Sequence, residues 1–341
     1  MFIESANFKL KLEEFQKVDP FSLDMNETEE KVFRLVKTWM SGNSAFTFKT
    51  SGSTGSSKII HIDKQKIELS TKSTFEYLDI VGKITNTLLC LDPNFIGGAM
   101  VVFRALIREL DLYIVEPTSD VISQLPANFT TDLVSMVPMQ FRNLTSKEID
   151  RFKTILIGGA PMEVMPELKS SSRVFSTYGM TETVSHVALR EIDKTNFNTI
   201  GDMKVGIDEN ECLKFKGEIT DNKWLVTNDL GKVSSPTSFE WIGRKDFIIN
   251  SGGVKLNPET IEQKLSDQID FPFIITSIPD EKLSEKVVLI LEGDQETQID
   301  FTCLDKYEKP KLVLDNQTVK LTTSGKVDRI ATREALLNAI K

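Results

Sequence analysis

Nine residues, Thr50-Ser51-Gly52-Ser53-Thr54-Gly55-Ser56-Ser57-Lys58, crowd hydroxyls, two glycines and a closing lysine into one short segment. Amides, hydroxyls and an ammonium gathered this way can converge on an anion, phosphate first, because glycine permits the dihedrals that aim successive N–H groups at one guest. The spacing is not that of a P-loop, since Lys58 stands three residues after Gly55 and is followed by Ile59. Further segments could complete a nucleotide site. "ILIGGAPM" presents Gly158, Gly159, Ala160 and Pro161, a small surface that a flat base could approach closely. "STYGMTET" presents the aromatic face of Tyr178, then Gly179, the hydroxyls of Thr181 and Thr183, and the carboxylate of Glu182. A carboxylate near a phosphate loop invites Mg²⁺, which needs hard oxygen ligands. "TNDLG" offers Asp229 to paired ribose hydroxyls, "GRKDFIINSGG" adds Arg244, and "TTSGKVDR" places Lys326 in a glycine-containing turn.

Ala45 to Lys49 alternates apolar and polar residues and Lys58 to Ile62 nearly does, which predicts a hairpin whose loop is the Gly/Ser segment. Apolar runs at 86–91, 112–116, 132–138, 153–159 and 173–179 read as buried strands, with helical patterns between them at 97–110 and 161–171. That alternation predicts a layered, largely parallel sheet, with ligand-binding loops at the carboxyl ends of its strands. Past Gly201 short strands and turns follow. From Lys245 a smaller α+β unit is expected, with helices at "NPETIEQKL" and "DRIATREALLNAIK" and strands at "FPFIITSIP" and "KVVLILEG".

The chain has 341 residues, enough for two domains, and its 40% hydrophobic and 27% charged residues describe an ordinary globular protein. A net charge of -9 argues against nucleic acid or an anionic membrane as a partner. The first residues carry charges throughout, unlike a signal peptide, and Asp92, Pro93 and Asn94 break the longest apolar region, so no membrane insertion is expected. Cys90, Cys212 and Cys303 are far apart and read as reduced, cytoplasmic thiols packed in cores. The two histidines, His61 and His186, give no zinc spacing.

Taken in order, "TSGSTGSSK", "GGAPM", "YGMTET", "TNDLG", "GRKDFIINSGGVKLNPETIE", "KYEKPK" and "TSGKVDR" resemble the motifs of the adenylate-forming superfamily of acyl-CoA synthetases, adenylation domains and luciferases. The likeness runs from about Ala45 to the C-terminus. It implies an α/β fold with a large layered domain over residues 1–243, shortened at its N-terminus, and a small mobile α+β domain over 244–341. It also implies an enzyme that makes an acyl-adenylate from a small-molecule carboxylate, ATP and Mg²⁺, then transfers the acyl group to coenzyme A. By position, Thr50, Ser51, Gly52, Ser53, Thr54, Gly55 and Lys58 would cradle the β- and γ-phosphates. Gly158 to Pro161, Tyr178 and Gly179 would form the adenine cleft, and Asp229 and Arg244 would hold the ribose. Thr181 would contact the α-phosphate, Glu182 would bind the metal, and Lys326 would bridge ribose and α-phosphate. Ser251, Gly252 and Gly253 would line the coenzyme A tunnel after rotation about a hinge near Lys245 and Asp246. A homodimer is left open.

The chain departs from that pattern at its short N-terminus and at "DPNFIGG", where relatives often carry a histidine near the position of Asn94. "YGMTETVSHVALR" resembles the o-succinylbenzoate–CoA ligases of menaquinone biosynthesis, and implies that Ser185, His186 and Arg190 edge the acyl site. Arginine binds carboxylates bidentately, which suits an acid with a second carboxylate. An alternating strand with Val187 and Leu189 inward explains the same residues. Other aryl- or acyl-CoA ligases, carrier-protein-loading adenylation enzymes and an inactive nucleotide-binding paralogue stand as alternatives.

Overall fold

In a computed structural model the residues described are 1–49, 59–78, 84–269, 271–293, 299–322 and 327–340. The whole phosphate loop, Thr50 to Lys58, and Lys326 therefore lie outside the described residues. The hairpin that frames the loop is present: Ala45–Lys49 pairs antiparallel with Ile59–Asp63.

A 13-stranded sheet dominates. Its parallel part runs, strand beside strand, through Arg173–Gly179, Phe152–Ile157, Thr131–Met136, Asn86–Leu89, Asp111–Ile114 and Phe2–Glu4. The near-continuous burial of Asn86–Leu89, Thr131–Met136 and Phe152–Ile157 is that expected of strands covered on both faces. The protein is thus mixed α/β with a large sheet built on a parallel core. The short strands after Gly201 do not form a separate layer. Lys204–Ile207, Cys212–Lys216, Leu225–Ser235 and Ser238–Arg244 extend the same sheet antiparallel, through Phe197–Thr199 and His186–Glu191.

Three helices matter for the site: α1 (Glu27–Met40), α2 (Lys64–Leu78) and α3 (Ile96–Arg108). An Asn26 cap and a reciprocal Glu29 side chain start α1, satisfying N–H groups that a helix cannot satisfy itself. Residues Gly98 to Leu106 of α3 are buried without a break, so it is a core helix rather than an amphipathic one. Asp92 sets its entry by accepting from the amide of Asn94 at 2.9 Å and from Lys31 Nζ at 3.2 Å. The helix expected at 161–171 does not form. Pro161 and Pro166 each lack an N–H, and the segment is instead tied down by Met165 N–H donating to the Ile192 carbonyl.

A five-stranded sheet holds Val254–Leu256, Ile249–Ser251, Ser284–Leu291 and Phe273–Asp280 in that order, with Leu312–Leu314 parallel to Ser284–Leu291. Pro258–Leu265 and Arg329–Ile340 are its helices, and its apolar clusters around Ile261 and Ile290 are separate from those of the large sheet. Cys90 and Cys212 are buried as expected, whereas Cys303 is exposed. No helix among the described residues is long and apolar enough to cross a membrane.

Candidate active site

The Arg173–Gly179 strand ends at the carboxyl edge of the parallel core, where Tyr178 packs its ring against Phe215 and Phe239 at 5.2 Å each. Its hydroxyl donates to Asp229 Oδ2 at 2.6 Å. Burial and the Asp229 charge both push the phenol well above its ordinary value, so it remains a donor. Asp229 lies opposite Arg244 in the pairing of Leu225–Ser235 with Ser238–Arg244. Three residues from separate parts of the sequence thus form one polar group, with a carboxylate oriented by a buried tyrosine and flanked by an arginine.

The neighbouring loop, Gly158 to Pro161, follows the Phe152–Ile157 strand, with Gly158 N–H donating to the Met136 carbonyl at 3.0 Å. Arg190 fastens this loop from behind. Its guanidinium donates to the carbonyls of Met162 at 2.6 Å and Lys194 at 2.5 Å, and stacks on Phe197. Arg190 is 3% exposed, and carbonyl groups rather than a substrate occupy these donors. Arg190 therefore does not present its guanidinium at an acyl edge as expected; it ties down the backbone after Pro161.

After Gly179 the chain turns sharply. A Cβ on Gly179 would stand 2.1 Å from the Ser185 carbonyl oxygen, so only glycine allows this approach. Thr181–Thr183 forms a single 3-10 turn that leaves Glu182 exposed. Thr183 is fully buried; its hydroxyl oxygen accepts from Met180 N–H at 3.0 Å and lies 2.8 Å from the Ser185 carbonyl.

Beyond the turn is a buried polar cluster. Ser185 Oγ accepts from Arg104 Nη2 at 3.2 Å, and His186 Nε2 lies 3.0 Å from Thr74 Oγ1. The Thr74 hydroxyl donates to the Ser70 carbonyl at 2.8 Å, so His186 carries its proton on Nε2. Burial, and next the Arg104 charge, hold His186 well below its ordinary value, in the neutral form. Arg104 itself is 3% exposed and burial alone pulls it down to about 10. Its Nε, together with Ser70 Oγ and Thr71 Oγ1, has no hydrogen-bond partner among the described residues.

The neutral His186 has a consequence for stability. Its folded value lies below 6.5, so the unfolded chain takes the proton first. The contribution is whole above about 6.5 and is lost as pH falls toward the folded value. The melting temperature should therefore drop between pH 7 and pH 5, and drop less in His186→Gln. An equal drop in both proteins would show that His186 does not control it.

Ser251, Gly252 and Gly253 form the tight turn between Ile249–Ser251 and Val254–Leu256, with φ of +60° and +82° at the two glycines. The segment around Lys245 and Asp246 is tethered. Arg244 Nη2 pairs with Asp246 at 2.7 Å, Arg244 N–H donates to Glu259 Oε2 at 2.9 Å, and Asn257 Nδ2 donates to the Ile242 carbonyl at 2.8 Å.

A family model described as AMP-binding enzyme matches residues 7–209. The chain belongs to the AMP-binding enzyme family. A solved acyl-CoA synthetase (AMP-forming)/AMP-acid ligase II-like protein from Dyadobacter fermentans is 31% identical, with a TM-score of 0.60 over 94% of this chain and 97% of that one. A 2-succinylbenzoate–CoA ligase from Listeria monocytogenes is 24% identical over 91% of this chain and 74% of its own length. An o-succinylbenzoate coenzyme A synthetase from Bacillus subtilis, in complex with ATP and magnesium ion, has a TM-score of 0.72 at 19% identity, over 84% of this chain and 69% of that one, which bears on the fold.

For an AMP-binding enzyme the structure brings Tyr178, Asp229 and Arg244 together, and separately gathers Ser185 and His186 around Arg104. Sequence reading missed Arg104, and on α2 the buried polar residues Ser70, Thr71 and Thr74, the last of which meets His186. The available signal was one charge inside "GGAMVVFRAL", since a buried charge is more informative than any buried apolar residue.

Proposed function

We propose that this chain is an ATP-dependent, AMP-forming carboxylate–CoA ligase that works through an acyl-adenylate, with o-succinylbenzoate as its acid, in the cytoplasmic synthesis of menaquinone. One observation carries the choice of acid: Arg104, a buried cation with an unpartnered Nε and no described carboxylate beside it. A desolvated charge without a counter-ion is strongly unfavourable, and a substrate carboxylate supplies the missing partner. The reacting carboxylate loses its charge on adenylation. A fixed arginine is therefore better matched to a second carboxylate that stays ionised throughout, as in this acid. The named Listeria relative supports the same substrate.

In this reading Asp229 and Arg244 hold the ribose of ATP, with Tyr178 fixing Asp229, and Gly158 to Pro161 with Gly179 give the base its cleft. Thr181 meets the α-phosphate. The exposed carboxylate of Glu182 fits Mg²⁺, which commonly uses one or two carboxylates beside substrate phosphates. The metal would neutralise phosphate charge there. Thr50 to Lys58 hold the outer phosphates, and Lys326 neutralises the charge that builds at the α-phosphate. These groups stabilise an in-line displacement in which the acid's carboxylate oxygen attacks the α-phosphorus and pyrophosphate leaves. The thiol of coenzyme A then attacks the acyl carbon and AMP leaves. Residues 244–341 form a small mobile domain, separate from residues 1–243, that presents Lys326 for the first step and Ser251 to Gly253 for the second. Its own sheet and apolar clusters support that division.

The test is coenzyme-A-dependent AMP release over a panel of o-succinylbenzoate, benzoate and a long-chain fatty acid. Turnover should be greatest with o-succinylbenzoate and poor with the fatty acid. Robust fatty-acid turnover without o-succinylbenzoate turnover would reject the assignment.

A further inference from the structure

Val184 is the strained joint of this site. Its φ of +67° and ψ of -44° describe a γ-turn of positive φ, closed by Ser185 N–H donating to the Thr183 carbonyl at 2.7 Å. That turn is rare for any residue with a side chain, and a β-branched side chain at positive φ is a marked outlier. The surroundings impose it. Val184 is 2% exposed, Thr183 hydrogen-bonds on both sides of the turn, and Gly179 leaves no room between its own Cα and the Ser185 carbonyl. Strain of this kind persists only where neighbouring structure over-determines it, and it concentrates where geometry serves function.

The joint separates two sets of residues. Thr181 and Glu182 stand one turn before it, on the phosphate side. Ser185 and His186 follow at once, held by Arg104 of α3 and Thr74 of α2. We infer that Val184 is a positioning residue for adenylation: its strained turn fixes the acyl-side contacts relative to the phosphate-side contacts, so that the carboxylate oxygen meets the α-phosphorus. This rests on the ligase reading above. Small misplacements between reactants mainly lower the rate of the chemical step, because binding contacts on each side remain intact.

Glycine adopts positive φ at no steric cost, so Val184→Gly relaxes the joint without removing any polar contact. Val184→Ile retains the β-branch and the restraint. Adenylation would be followed by pyrophosphate exchange with ATP and o-succinylbenzoate, alongside thermal melting. The expected result is a kcat lowered at least about tenfold in Val184→Gly, with both KM values within about twofold, while the melting temperature falls because a buried isopropyl group is lost. Val184→Ile should keep kcat within about threefold. Unchanged kcat in Val184→Gly overturns the inference, and so does an equal fall in kcat in Val184→Ala, which loses nearly the same buried surface but keeps a Cβ at positive φ and would mark a packing role alone. A parent that shows no exchange with any carboxylate contradicts the ligase reading instead, so the two failures are distinguishable.

Discussion

Replacing Lys326 with alanine is expected to slow acyl-adenylate formation by about a hundred- to a thousand-fold while leaving thioester formation nearly untouched. The magnitude follows from the loss of one charge-assisted contact formed as charge develops, which typically costs roughly 3–4 kcal/mol. The asymmetry follows from the chain. Lys326 lies far along the sequence from Arg244, between the segments that form the helices Pro258–Leu265 and Arg329–Ile340. Arg329 is buried against Glu262 and lies over the Phe247 ring, whose other neighbour is Arg244 at the same 5.5 Å. The segment after Lys326 is thus linked by packing to Arg244, the arginine proposed to hold the ribose. Pre-formed acyl-adenylate and coenzyme A would isolate the second step. Equal losses in both half-reactions would mean that the lysine serves both or is structural, and that two separate orientations are not used.

The second large effect is at Arg104. Arg104→Met keeps the aliphatic stem and removes the charge, leaving the substrate's second carboxylate desolvated and unpaired. Breaking one side of a buried ion pair costs about 3–5 kcal/mol. The value of kcat/KM for o-succinylbenzoate should therefore fall roughly a hundred- to several-thousand-fold. Turnover of benzoate, which lacks that carboxylate, should change little. The free protein should melt at the same or a higher temperature, because the variant removes an uncompensated charge from the core. A uniform loss across both acids would show that Arg104 holds α3 in place rather than reading the substrate.

Much of the frame was legible because it rests on local pattern. Arg173–Gly179 forms over the span its apolar run marks, and the hairpin around residues 50–58 pairs as its alternation implies. What escaped the sequence depends on contacts between distant segments. Phe2–Glu4 joins the parallel core by pairing with Asp111–Ile114, more than a hundred residues away. The strands after Gly201 read as short strands and turns, and only their register shows that they continue the same sheet antiparallel. Tyr178, Asp229 and Arg244 were all picked out in the sequence as candidate nucleotide contacts, but the hydroxyl-to-carboxylate bond that ties two of them appears only when the sheet is assembled. Arg104 and Arg190 show the same limit in opposite directions. Arg190 follows the "YGMTET" motif and looks available for substrate, yet three backbone carbonyls take its donors. Arg104 sits in a helix that reads as packing, yet its guanidinium is the one left wanting an anion among the described residues of that cluster.

The account stands or falls on the two-step chemistry, and a single-turnover experiment reaches it directly. The protein would be mixed with ATP, Mg²⁺ and o-succinylbenzoate without coenzyme A, quenched, and analysed by mass spectrometry. The expected result is one equivalent of pyrophosphate and a bound acyl-adenylate of matching mass, which coenzyme A converts to thioester and AMP on addition. Release of ADP and phosphate, or no acyl-adenylate with any carboxylate while ATP still binds, would contradict it.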